Sequence, residues 1–243
     1  MNGFEGALAA VEGIGGWLTD EQARTLYERA AALPPGARIV EIGSYHGRST
    51  IVLALAAPEA ELVAIDPFAA ETIATRERLR EADVGESDLE QFETNLRRAG
   101  VRDRVVHVRA FSGDALASVE GPIDLLYVDG AHDVRSALGD IRGFGERVRE
   151  GGTMLIHDSF SAVGVTVAQL VALFASGSFR YVGRSRSLAE YRREPGSSRT
   201  KNVARQAAQL PWFARNLVVK VALVAKARPV AAALGHHEDV FPY

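Results

Sequence analysis

The segment RIVEIGSYHGRST, residues 38–50, constrains this chain more than any other. Ile39, Val40 and Ile42 make an apolar strand that runs into a glycine turn, and Ser49-Thr50 then open an apolar helix. A strand, a glycine loop and a helix in that order leave backbone N–H groups at the loop and the helix start to meet a ligand. Gly43 and Gly47 stand four apart, which departs from the G-x-G-x-x-G spacing of dinucleotide-binding units. Along the rest of the chain, short Val/Ile/Leu-rich runs alternate with helical stretches, the pattern of a parallel sheet with helices on both faces.

Strands are expected at 38–42, 61–65, 104–109, 123–128, 153–157, 178–183 and 187–192. Thr19 with Gln22 reads as a capping box for a helix that runs to Leu33 before Pro34-Pro35. Further helices are expected over 48–56, over 71–99 with a break at Val84-Gly85-Glu86 and a new cap at Ser87, from Val134 to Arg149, and over 163–175. Gly151-Gly152 would stop the helix that ends at Arg149. An Arg, Ser, Pro and Gly-rich linker over 192–200 then leads to a basic helical arm. The domain plan is a helical cap (1–35), an α/β core (36–193) and an arm (194–243).

The 243 residues, 47% of them hydrophobic, suffice for one large core. Without cysteine there are no disulfides, thiolate metal sites or Cys nucleophiles. No secretory leader or membrane span is read, so the expected compartment is the cytoplasm. The net charge of −3 conceals an asymmetry: residues 180–228 carry 12 Lys/Arg and 2 Asp/Glu, a balance of +10, against −13 elsewhere. Either the basic segment meets an anionic partner, such as a phosphate or a membrane surface, or it packs on the acidic body.

Three expected strands end in aspartate: Asp66, Asp129 and Asp158. Ligands of open α/β sheets sit beyond the carboxyl ends of the strands. Any one of these residues alone reads as a helix cap, but three carboxylates on one edge beside a glycine loop suggest a polar site. Asp66 lies 25 residues after Glu41, a separation suited to pairing with both ribose hydroxyls of a nucleoside.

The loop motif, IDPF, FETNLRRAGVRDRV and LLYVDGAHDVRSALGDIRGFGERVREGGTMLIHDSF occur in the order found in class I S-adenosylmethionine-dependent methyltransferases. The chain resembles their catechol O-methyltransferase-like branch, in particular the bacterial enzymes that modify sugars and other natural-product hydroxyls, over about residues 17–192. The resemblance implies an α/β, Rossmann-like, doubly wound, seven-stranded and mostly parallel sheet with an N-terminal helical cap and a C-terminal helical arm. It implies that Glu41, Gly43, Ser44, Tyr45, Gly47, Ser49, Asp66, Phe68, Ser112 and Asp129 hold S-adenosylmethionine. Phe68 reads equally as a core residue, and Ser112 as the cap of a short helix. By position Asp129 and Asp158 would bind a divalent cation, usually Mg²⁺, with Ser159 as a weaker third ligand. Ala131 stands where some relatives carry another carboxylate.

His132, in a D-x-x-H arrangement with Asp129, would be the general base for a small-molecule hydroxyl, a sugar or glycoside before a catechol. His46 could touch the cofactor carboxylate, His107 reads as a half-buried strand residue, His157 as buried at a strand end, and His236-His237 as part of a mobile tail. Trp17 is either a lid residue over the cofactor or an anchor for the first capped helix. In the arm, residues 209–234 mix apolar residues with Arg215, Lys220, Lys226 and Arg228. At 100° per residue these cations define no single polar face, which favours packing across the core or in a homodimer over a peripheral membrane contact. Nothing favours nucleic acid. The rival readings are a metal-free methyltransferase acting on nitrogen or on a macromolecule, and a catalytically silent cofactor-binding protein.

Overall fold

The structure, a computed structural model, describes residues 3–68 and 81–237, with side chains in the second stretch from residue 87. Its strands are β1 (Arg38–Ile42), β2 (Glu61–Ile65), β3 (Val105–Val108), β4 (Ile123–Val128), β5 (Val148–Ile156), β6 (Phe179–Ser185) and β7 (Leu188–Arg193). They form one sheet in the order β3-β2-β1-β4-β5-β7-β6, with β7 antiparallel to both its neighbours and the other pairs parallel. The chain steps outward from β1 to β3 on one side and from β4 to β5 on the other. The carboxyl ends of β1 and β4 therefore flank the switch point, where such sheets open a crevice.

The period-two alternation of β1 and β4 divides the core into two layers. Ile39, Leu125 and Tyr127 face α1 (Phe4–Ala10), α2 (Asp20–Ala31), α3 (Arg48–Ala56) and α4 (Glu81–Arg98), while Val40, Ile42, Leu126 and Val128 face α5 (Ser112–Ala115), α6 (Val134–Gly143) and α7 (Val163–Leu173). The expected capping box is present: Thr19 N–H donates to Gln22 Oε1 at 2.9 Å, and the Thr19 hydroxyl accepts from Gln22 N–H.

Two element boundaries correct the sequence reading. α4 continues through Val84-Gly85-Glu86 without a break, so Ser87 caps nothing; Phe92 and Leu96, both fully buried, anchor the helix from its far half. The part of that stretch over 71–80 lies outside the described residues. α6 ends at Gly143, a short 3-10 turn over 145–147 follows, and β5 begins at Val148. Gly151-Gly152 is not a helix stop. It lies in a bulge where the β4–β5 register shifts between Ile123 and Leu125, and Gly151 has φ +74°.

The arm forms α8 (Arg199–Ala207), α9 (Leu210–Val224) and α10 (Arg228–Ala233), which pack on the core through buried amides. Asn202 accepts from Tyr181 N–H at 3.0 Å and donates to Phe179 O, and Gln206 accepts from the Tyr191 hydroxyl at 2.8 Å. His236 is buried rather than part of a loose tail. Among the described residues no helix is long and apolar enough to cross a membrane.

Candidate active site

The glycine loop leaves β1 beside β4. Gly43 N–H donates to Ile65 O, Asp129 N–H donates to Ile42 O, and a Cβ at Gly43 (φ +85°) would overlap the Asp129 carbonyl. Only glycine fits between those backbones. Gly47, at φ +83°, starts α3 in the left-handed region, and a Cβ there would run into Leu96. Ser44 is buried, and its hydroxyl has no hydrogen-bond partner among the described residues. An orphaned hydroxyl in a loop of this shape fits a polar ligand.

Glu41 and Ser49, expected to touch a cofactor, lie beneath this loop. Glu41 shares a sheet face with Ile39, so its carboxyl meets the Ser49 and Thr50 hydroxyls of α3. Burial raises it to about 8, although both hydroxyls work in the other direction. Asp66 accepts from the N–H groups of Tyr45 (2.9 Å) and Phe68 (2.8 Å), fastening the loop to the end of β2. Burial raises its pKa, and the amide donors oppose the rise.

Phe68 is a core residue: it is buried against Phe92 and His107, with ring centroids 5.3 and 5.1 Å away. Ser112 is the first residue of α5, behind Phe111 at the cap position, and its hydroxyl bonds Asp140. Tyr45 stacks on His46 at 3.7 Å, and Trp17, 58% exposed, lies 5.7 Å from Tyr45, so Trp17 anchors nothing in the core. His46 Nε2 is 2.9 Å from Asp88 Oδ1.

Beyond β4 and β5 the acidic and imidazole groups converge. His132 Nε2 lies 3.0 Å from Asp158 Oδ2, and His157 Nδ1 lies 3.1 Å from Asp129 Oδ1 and 3.7 Å from Asp158 Oδ2. The buried Tyr127 hydroxyl donates to Asp129 Oδ2 at 2.9 Å. One ligand atom from each of Asp129, His132 and Asp158 lies within 4.8 Å of the other two, a donor set that fits a divalent cation. Ser159 is outside this group: it is fully buried, and its hydroxyl donates to Ile156 O at 2.9 Å. A narrow cavity adjoins the cluster, lined by Asp129, His132 and His157 and by Ile141, Ile156 and Val165.

Charges in the cluster are coupled. Burial opposes the Asp158 carboxylate, yet hydrogen bonds from His132 and His157 hold it well below the usual range. Burial likewise opposes a proton on His157, and Asp129 and Asp158 outweigh it, raising the ring to about 10. The hydrogen bond to Asp158 raises His132. Sequence reading placed His157 at a buried strand end but gave no role to it or to Tyr127. The signal was available for Tyr127, which stands two positions before Asp129 and so shares its side of the strand.

A glycine loop at the switch point of a seven-stranded sheet with one reversed strand is the fold of the class I methyltransferases. Residues 40–159 match the family model described as a methyltransferase domain, and the chain carries a domain of that family. Solved structures of similar fold include cofactor-bound Rv0187 from MTB, at 22% identity over 79% of this chain and 89% of that one, TM-score 0.58. The O-methyltransferase TomG from Streptomyces achromogenes, involved in tomaymycin synthesis and solved with SAM, matches at 20% identity over 79% and 89%, TM-score 0.57. A putative O-methyltransferase from Klebsiella pneumoniae matches at 18% identity over 79% and 87%, TM-score 0.57.

Proposed function

We propose that this protein methylates a hydroxyl of a small molecule, a sugar or glycoside before a catechol, with S-adenosylmethionine as donor. The observation that carries the reading is the convergence of the glycine loop with Asp129, His132 and Asp158 on one sheet edge. Two structural neighbours named as O-methyltransferases, one of them bound to SAM, support it. The donor would bind over Gly43, Ser44 and Gly47, with Asp66 holding the loop and meeting the ribose, and it supplies an electrophilic methyl on a sulfonium.

The residues then divide the work. With Nε2–H given to Asp158, His132 keeps the lone pair on Nδ1, where it would take the acceptor's hydroxyl proton. Asp158 holds the ring in that tautomer, much as a carboxylate orients a catalytic histidine elsewhere. Tyr127 and His157 fix the two oxygens of Asp129. Most of the rate enhancement on this reading comes from holding the acceptor oxygen in line with the methyl carbon.

A second reading is favoured by the closeness of the three ligand atoms: Asp129, Asp158 and His132 would hold a divalent cation that makes the acceptor hydroxyl more acidic by stabilising its alkoxide. Calorimetry with adenosylmethionine and adenosylhomocysteine, with and without Mg²⁺ or Mn²⁺, tests both. Binding of neither nucleoside would remove the basis of the function. His132→Ala should lower turnover roughly 10²- to 10⁴-fold and leave adenosylhomocysteine binding intact. If the same variant also loses cation binding, His132 is a ligand rather than a free base.

A further inference from the structure

Helix α9 buries polar groups on its inner face beside Val219 and Ala222 and leaves other valines outside. Val218, Val221 and Val224 point to solvent, 49%, 68% and 74% exposed, while Asn216 is fully buried and Lys220 is half-buried on the inner side. A helix packed on a domain ordinarily turns its apolar stripe inward. Here the inward polar groups have defined targets: Asn216 Nδ2 donates to Phe160 O at 3.1 Å, and Lys220 Nζ donates to Ser161 O at 3.0 Å. Arg215 completes the arrangement by donating to Asn216 Oδ1 at 2.9 Å, which leaves the Asn216 amide hydrogens facing the turn.

Those two carbonyls belong to the turn between β5 and α7, and that turn is strained. Asp158 and Phe160 are non-glycine residues at φ +56° and +55°, a conformation that costs on the order of 1 kcal/mol or more at each. Such a pair persists only where surrounding contacts over-determine it. From the other flank, Ser159 N–H donates to Ser187 O, and Gln22 Nε2 donates to the Ser187 hydroxyl at 3.0 Å. Both helical ends of the protein thus bear on the turn that carries Asp158.

We propose that α9 is a positioning element of the active site, with Asn216 and Lys220 holding the β5–α7 turn left-handed so that the Asp158 carboxylate meets His132. Neither residue touches the reacting atoms. The inference rests on the methyl-transfer reading only for its kinetic consequence; the geometry it asserts is measurable without turnover.

The test uses the full chain carrying Asn216→Leu or Lys220→Met, with Lys220→Arg as the conservative control. Four quantities are read: turnover, adenosylhomocysteine affinity, melting temperature, and the ring ¹H–¹⁵N signals of His132, assigned against His132→Ala. Both disruptive variants should lose roughly 10- to 100-fold in kcat, keep adenosylhomocysteine affinity within about twofold, and shift the His132 signals toward those of a solvent-exposed imidazole. Lys220→Arg should keep all four at the parent's values. Folded variants with unchanged His132 signals would overturn the proposal. So would a parallel loss of melting temperature and nucleoside affinity, the pattern of a merely structural helix. If Asn216→Leu does not fold, Lys220→Met decides, because its ammonium lies at the half-exposed end of the contact. A parent protein that binds no adenosylhomocysteine would defeat the methyltransferase reading alone, and the His132 signals would still judge the role of α9.

Discussion

Glu41 shows how one buried group ties the loop to the stability of the whole chain. Its carboxyl is raised from 4.5 to about 8, so across that interval the folded protein keeps a proton that the unfolded chain has released. Stability therefore falls as pH rises through the window and stays low above it. Glu41→Gln is expected to flatten that decline and to melt higher than the parent at about pH 9; thermal melts across pH check it, and a lower melting point there contradicts it. At Gly43 the constraint is steric. Gly43→Ala should cost about 3 kcal/mol or more in urea unfolding, because its Cβ meets the Asp129 carbonyl at a positive φ. A milder loss would mean that β1 and β4 separate easily at the site. The positions of Asp66, Asp129 and Asp158 at the ends of strands were legible in the sequence. The inward turn of Glu41, Ser49 and Ser159 was not, because spacing shows which residues share a loop but not which face of it each side chain takes.

At the scale of elements, short Val/Ile/Leu-rich runs located the strands, since both faces of this sheet are covered and its strands read as near-continuous apolar stretches. The ends of α6 and α4 were harder. A Gly-Gly pair reads as a helix stop, but in Arg149–Gly152 it serves a bulge in β5, a distinction set by the register with β4. Gly85 reads as a breaker, yet a helix with Phe92 and Leu96 fully buried tolerates the penalty of about 1 kcal/mol. The α2 cap, by contrast, is purely local and was legible to the residue. Thr19→Ala should cost about 1 kcal/mol by chemical denaturation, and Thr19→Ser should recover most of it. Equal stability of all three proteins would show that tertiary contacts alone hold α2.

For the molecule as a whole, ion pairs tie the basic segment to itself and to the body. Arg180 meets Glu194, Arg186 meets Glu21, and Arg29 of α2 grips Glu190 of β7 through two bonds of 2.8 and 2.9 Å. Composition revealed the imbalance but not these partners, two pairs of which come from distant parts of the chain. Arg29→Met leaves the nearly buried Glu190 without its fork and should cost about 1–3 kcal/mol. Denaturation of Arg29→Met, Glu190→Gln and the double variant measures the coupling; additive effects would mean the pair contributes nothing.

The tether from Gln22 to Ser187 spans 165 residues, and that from Asn216 to Phe160 spans 56. The glycine loop proposed to hold the nucleoside, by contrast, closes within residues 41–66. Loops that long form late, since their closure entropy precedes any reward. During refolding the protein should therefore acquire its grip on adenosine before it can align a proton acceptor, and a nascent chain still lacking α9 would be a binder before it is a catalyst. Pulse-labelled hydrogen exchange, with protection in β1 and β2 preceding that around Ser161, would record the order.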